Sequence, residues 1–203
     1  MMRKKGSIFG GAVAAGLAIS VGGTVFLTLE NKIIGSLMFT VGLYAIVLNG
    51  LYLYTGKIGY VVDQKDKKDY AVLLVLTWLG NLAGTGIGAA AVLASRIRGI
   101  QKTAQAICEV KLSDDLLSIF CLAVFCGMLM YIAVDGFKEK GNPLILFVCV
   151  SVFILSGFEH CIANMFYFSL AGVWSGKAVI WILVMTLGNS VGGILLPAIK
   201  KLG

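Results

Sequence analysis

Charge is nearly absent from six stretches of this chain, and that scarcity limits the fold more than any single motif does. The apolar runs fall near residues 7–29, 33–56, 70–95, 115–135, 143–171 and 176–199. About 20 helical residues cross a hydrocarbon layer of roughly 30 Å, and each run reaches that length. Between them lie polar intervals at Glu30 to Lys32, Lys57 to Asp69, Arg96 to Asp114 and Asp135 to Asn142, and a short turn around Gly172 to Gly176. Only 13% of the 203 residues are charged, against roughly 25% in soluble domains. The pattern predicts an all-α integral membrane protein with six transmembrane helices in a single domain spanning residues 1–203. The first run reaches Leu29, longer than a usual signal peptide core, and is read as a membrane span.

An even number of spans puts both termini on one side. With the amino terminus inside, the inner segments hold Arg3, Lys4, Lys5, Lys65, Lys67, Lys68, Lys138, Lys140, Lys200 and Lys201, with Lys57 at the margin. The outer segments hold Lys32, Arg96, Arg98, Lys102, Lys111 and Lys177. The excess of inner basic residues predicts a multi-pass protein of the cell (inner or plasma) membrane with cytoplasmic termini. The net charge of +7 therefore reads as topology signalling. No basic run is interleaved with aromatics, so nucleic acid is not an expected partner.

Two features recur at nearly one spacing. Leu79-Gly80-Asn81-Leu82-Ala83-Gly84 and Leu187-Gly188-Asn189-Ser190-Val191-Gly192 both read L-G-N-x-x-G, 108 residues apart. Gly50 in span two and Gly157 in span five lie 107 residues apart, each ahead of a polar or turn-like stretch. The chain thus reads as two related halves, about 1–100 and 110–203. Three spans per half make them inverted repeats, with helices two and five broken at corresponding places as in transporters and pores. Most of the other glycines, such as Gly10, Gly16, Gly84 and Gly88, suit close helix packing.

The second break holds the chain's only histidine. Ser156 to Phe168 reads Ser-Gly-Phe-Glu-His-Cys-Ile-Ala-Asn-Met-Phe-Tyr-Phe, within the apolar run that begins at Pro143. Ionisable side chains are expensive at such depth and mark functional sites that face a cavity or partner. With one histidine and no second carboxylate or serine cluster beside it, neither a metal site nor a hydrolytic enzyme is expected. No cofactor is expected either. The five cysteines, Cys108, Cys121, Cys126, Cys149 and Cys161, mostly lie in apolar runs and form no C-x-x-C pair, so they read as small buried hydrophobes.

Gly157-Phe158-Glu159-His160-Cys161-Ile162-Ala163-Asn164-Met165 resembles the G-F-E-H-x-x-A-N-M signature of formate/nitrite transporters, and the resemblance extends over all six spans. It implies an aquaporin-like fold, usually a homopentamer with one pore per protomer. The solutes it implies are small monovalent anions, among them formate, nitrite, hydrosulfide and lactate. His160 matches the central pore histidine, with Glu159 and Asn164 in the same motif. Phe39 and Phe153 match the aromatics of two hydrophobic constrictions, and Leu43 an apolar pore position. Leu53-Tyr54-Thr55 corresponds to the family's L-F-T loop, which gates one constriction. Lys111, sixteen residues before Gly127, resembles a family lysine by its spacing, and Asn189 matches the asparagine of span six. Three departures stand out: Tyr52 in place of an acidic residue, Tyr54 in place of phenylalanine, and Gly127 in place of asparagine. The helix that precedes span one in longer members is not expected here.

The resulting expectation is a channel or transporter for anions of weak acids, formate first, in which a proton eases passage. A histidine suits that task because its ordinary pKa lies near 6.5. Lys111 would draw anions from outside, and His160 would act between the rings of Phe39 and Phe153. Thr55, Asn164 and Asn189 would offer hydrogen bonds along the way. Glu159 is expected to point away from His160 and to steady the break by accepting backbone N–H groups. The alternative is a neutral-solute channel of aquaporin type, whose two N-P-A triplets have no counterpart at Tyr52 to Gly56 or Glu159 to Asn164.

Overall fold

Among the described residues of the computed structural model, four helices are long and apolar enough to cross a membrane. They are α1 (Lys5–Thr28), α3 (Lys67–Leu93), α5 (Leu116–Lys140) and α8 (Gly176–Lys200). Between them lie α2 (Lys32–Leu48), α4 (Gln101–Ser113), α6 (Leu144–Leu155) and α7 (Cys161–Ala171), with 3-10 turns at Ile58–Asp63 and Arg98–Ile100. The structure describes residues 5–202; Arg3 and Lys4 of the charge count lie outside them.

Side-chain caps start five of the helices. Asn31 accepts from the Ile33 and Ile34 N–H groups, Asp66 from Asp69, Asp115 from Leu117 and Ser118, Ser175 from Ala178, and His160 from Ala163. Each satisfies donors that the first turn leaves unpaired. Span two, expected over 33–56, is helical only to Leu48, and span five divides at 156–160. The interval from Arg96 to Asp114, read as a polar connection, holds α4.

The helices group in two sets with matching contacts. α1 packs on α3, and α5 on α8. A Cβ on Gly84 would run into the Val13 carbonyl; one on Gly192 would run into the Val124 carbonyl. Such places let backbones approach closely, as small residues do between membrane helices. The same reason accounts for Gly127, where a Cβ would collide with the Asn189 backbone, so the larger side chain of the family pattern has no room. Trp78 Nε1 donates to Thr186 Oγ1 at 3.0 Å, joining residues that each stand one place before Leu-Gly-Asn.

Outward-facing apolar residues, including Val21, Val75, Ile132, Leu183 and Leu187, are exposed around the bundle. An apolar surface of this extent is stable only against lipid or other protein. Gly192→Ala should lower the Tm of the detergent-purified protein, at a cost of about 1–3 kcal/mol. Gly86→Ala should not, since a Cβ there meets nothing within 4 Å.

Candidate functional site

The site begins with two helix breaks of the same construction. α2 ends on Gly50 and α6 on Gly157, whose φ values of 60° and 70° fall in the left-handed region that glycine enters without strain. Leu51 N–H reaches back to Ile46 C=O at 2.9 Å, and Phe158 N–H to Phe153 C=O at 2.9 Å. The non-helical residues that follow carry backbone groups which need partners at this depth. Asn81 supplies them in the first half. Its amide donates to the carbonyls of Ala12 and Tyr52, both at 2.8 Å, and its oxygen accepts Tyr54 N–H at 2.9 Å. Asn189 repeats this in the second half, donating to Ala123 C=O at 2.8 Å and Glu159 C=O at 2.7 Å and accepting Cys161 N–H at 2.9 Å.

The Asn189 bonds correct one expectation. Both Nδ2 hydrogens and Oδ1 are bonded to the backbone, so its place is in the clamp.

His160 stands at the start of α7 with both ring nitrogens engaged. Nδ1 accepts Ala163 N–H at 3.0 Å, and Nε2 lies 2.9 Å from Thr55 Oγ1. A nitrogen that accepts carries no proton, so the neutral ring holds its hydrogen on Nε2 and donates to Thr55. Both residues are buried. Phe153 stacks on His160 with centroids 5.6 Å apart, and Phe39 meets Phe153 edge-on at 6.0 Å. The order is therefore Phe39, Phe153, His160: the histidine lies at the end of the aromatic column, where it was expected between the rings.

A cavity of about 190 Å³ adjoins this column, lined by Lys111, Phe153, Phe158, His160, Ala163 and Asn164 among others. Lys111 sits in the last turn of α4 and donates to both oxygens of Glu159, at 2.8 and 2.6 Å. Asn164 Nδ2 donates to Glu159 Oε2 at 2.7 Å. Glu159 thus binds an ammonium and an amide; the backbone N–H bonds expected of its side chain are replaced by these. Lys111, expected as a free attractor of anions, is paired. Asn164 Oδ1 is buried with no partner among the described residues.

At the opposite end, Leu43 and Leu53 line a second cavity of about 40 Å³. Tyr54 lies elsewhere. Its hydroxyl pairs with Ser190 Oγ at 2.9 Å, and the ring lines an apolar groove between α3 and α8 with Trp78 and Leu183. It does not join Leu53 in that cavity. Successive side chains of an extended stretch point to opposite sides, which sends Leu53 and Thr55 inward and Tyr54 out.

α4 escaped the sequence reading, although Ile100, Ala104, Ile107, Cys108 and Lys111 recur at helical spacing. Asn81 was noted only as part of a repeat; its match to Asn189 is the signal that gives its role.

A family model described as formate/nitrite transporter matches residues 1–201. The chain is 25% identical over 201 residues to the formate channel FocA of Haemophilus influenzae, covering 80% of this chain and 70% of that protein. It is 26% identical over 178 residues to FocA of Escherichia coli, covering 76% and 62%. It is 30% identical over 199 residues to a probable formate transporter of Methanothermobacter thermautotrophicus, covering 82% and 73%. A solved structure described as a pentameric formate channel with formate bound superposes with a TM-score of 0.84 at 24% identity, covering 98% of this chain and 96% of that one.

Removing one partner of a buried ion pair strands the other charge, at about 3–5 kcal/mol. Lys111→Gln should therefore lower the Tm sharply. The double variant Lys111→Gln/Glu159→Gln should recover most of the loss, as thermal unfolding in detergent would show.

Proposed function

Because the chain belongs to the formate/nitrite transporter family, we propose that it passes small monovalent anions of weak acids through each protomer, with formate as the principal solute. Nitrite and hydrosulfide belong to the same class. The names of the relatives support formate. In this reading six crossings form two inverted three-helix halves: α2 with the turn at Ile58–Asp63, and α6 with α7, are the two broken spans, and the rest are α1, α3, α5 and α8. Five copies assemble in a plasma or inner membrane with both termini cytoplasmic.

The observation that carries the proposal is the arrangement around His160. A polar pair, Thr55 and His160, closes the end of an aromatic column. Burying a bare carboxylate between apolar rings costs far more than burying the neutral acid. The adjoining cavity suits the acid form, since Asn164 Oδ1 is an acceptor in need of a donor. A formic acid O–H supplies one, and a carboxylate does not.

The ring contributes in a defined way. Its Nε2–H polarises Thr55, whose own hydroxyl proton is then turned toward the path. To act as an acid the ring must first gain a proton on Nδ1, and that proton would face Ala163 N–H and break the α7 cap. Proton involvement at His160 is thus coupled to the helix start. Lys111, held by Glu159, sets the potential of the cavity without presenting an unpaired charge.

The test is formate uptake into sealed proteoliposomes under a pH gradient. His160→Asn keeps a side-chain cap on α7 but removes the titratable ring, and uptake should fall by about a hundredfold or more. Uptake that persists unchanged would remove the proton role. Water or glycerol flux without formate flux would replace the proposal with a neutral-solute channel.

A further inference from the structure

Two consecutive residues of α8 hold both breaks. Asn189 bonds Glu159 C=O and Cys161 N–H, the main chain on either side of His160. Ser190, the next residue, lies 2.9 Å from the hydroxyl of Tyr54, the residue before Thr55. Both members of the Thr55–His160 pair are thus referred to one turn of one helix, although 105 residues separate them.

The direction of the Tyr54 bond follows from counting protons. Ser190 Oγ lies 2.6 Å from Thr186 C=O, and a carbonyl only accepts, so the one hydroxyl proton of Ser190 is spent there. Tyr54 is therefore the donor and Ser190 Oγ the acceptor. The main chain of Tyr54 is held as well. Asn81 Oδ1 accepts its N–H at 2.9 Å, and its C=O accepts from Lys57 and Ile58 N–H at 3.0 and 2.9 Å. Those three bonds stay within the first half of the chain. Of the four, the hydroxyl's alone reaches the helix that steadies His160.

The residue types at this contact belong to this break. The equivalents of Tyr54 and Ser190 in the repeat are Cys161 and Leu82, and a leucine side chain accepts no hydrogen bond. Phenylalanine, the residue of the family pattern, would fill the same space beside Trp78 and Leu183 without bringing a donor.

We propose that Tyr54 is a positioning residue for transport: its hydroxyl latches the first break to α8 and keeps Thr55 Oγ1 in register with His160 Nε2. A hydrogen bond weakens steeply as its geometry departs from the optimum, so a loop released from α8 loses part of the pair. Tyr54 acts on Thr55 from behind, since its own ring lies in the groove between α3 and α8. This inference rests on the transport reading above.

The experiment uses the fact that His160 is the one histidine of the chain. Protein labelled with nitrogen-15 histidine, and carrying no histidine tag, gives a single Nε2–H proton resonance that reports the bond to Thr55. In Tyr54→Phe that resonance should move toward its position in Thr55→Val, which lacks the acceptor. Maximal formate flux in proteoliposomes should fall roughly threefold to tenfold, with half-saturating formate unchanged. Ser190→Ala, which removes the acceptor, should reproduce both changes. Ser190→Thr, which keeps the hydroxyl oxygen, should behave as wild type. A Tyr54→Phe resonance that stays at the wild-type position would overturn the latch, whatever the flux does. A shifted resonance with unchanged flux would overturn the positioning role and leave the transport reading intact. Wild-type vesicles that carry no formate would overturn that reading and the role together.

Discussion

Everything near the centre of this protein depends on backbone groups that are not in a helix and cannot reach water. The chain solves this with two asparagines. Asn81 and Asn189 each carry two donors and an acceptor on one planar amide, and each spends all three on main chain. Without the amide, a break in an apolar helix would leave buried carbonyls and N–H groups unpaired, at about 1–3 kcal/mol for each. With it, the break becomes a fixed loop that can place Thr55 and His160 within hydrogen-bond distance across 105 residues of sequence. The Thr55–His160 pair is thus a product of the clamps, as much as of its own side chains.

The two halves share this frame and differ in what they hang on it. The second half presents a histidine, a carboxylate and an amide; the first presents a leucine, a tyrosine and a lysine at the equivalent places. Keeping the backbone solution while exchanging side chains gives one frame with two chemically distinct ends. The aromatic column between them is continuous from Phe39 through Phe153 to His160.

Local spacing made much of this legible. The apolar runs, the Gly50 and Gly157 breaks and the paired L-G-N stretches all express rules that act within a few residues. Hydrophobicity alone does not show the end of α2 at Leu48, because Tyr52 to Thr55 is as apolar as a helical turn; Gly50 is the residue that marks it. The Lys111–Glu159 pair spans 48 residues and obeys no local rule, so its formation waited on the packing of α4 against α7. Asn189 was misread because a pore-lining amide and a backbone clamp use the same residue. Only the count of main-chain partners separates them.

The bond between Trp78 and Thr186 has a consequence for how the halves relate. When two stretches are related by a two-fold rotation, a residue that touches its own equivalent lies on the axis. In an assembly of two identical three-helix chains that residue would meet its own copy. An indole N–H donates but does not accept, so two tryptophans would leave both donors unmet, while two threonines would lose the ring's packing. Joining the halves in one polypeptide permits a donor on one side of the axis and an acceptor on the other. The matching L-G-N stretches thus differ at the residue before them, a donor in Trp78 and an acceptor in Thr186, and one polypeptide can carry both.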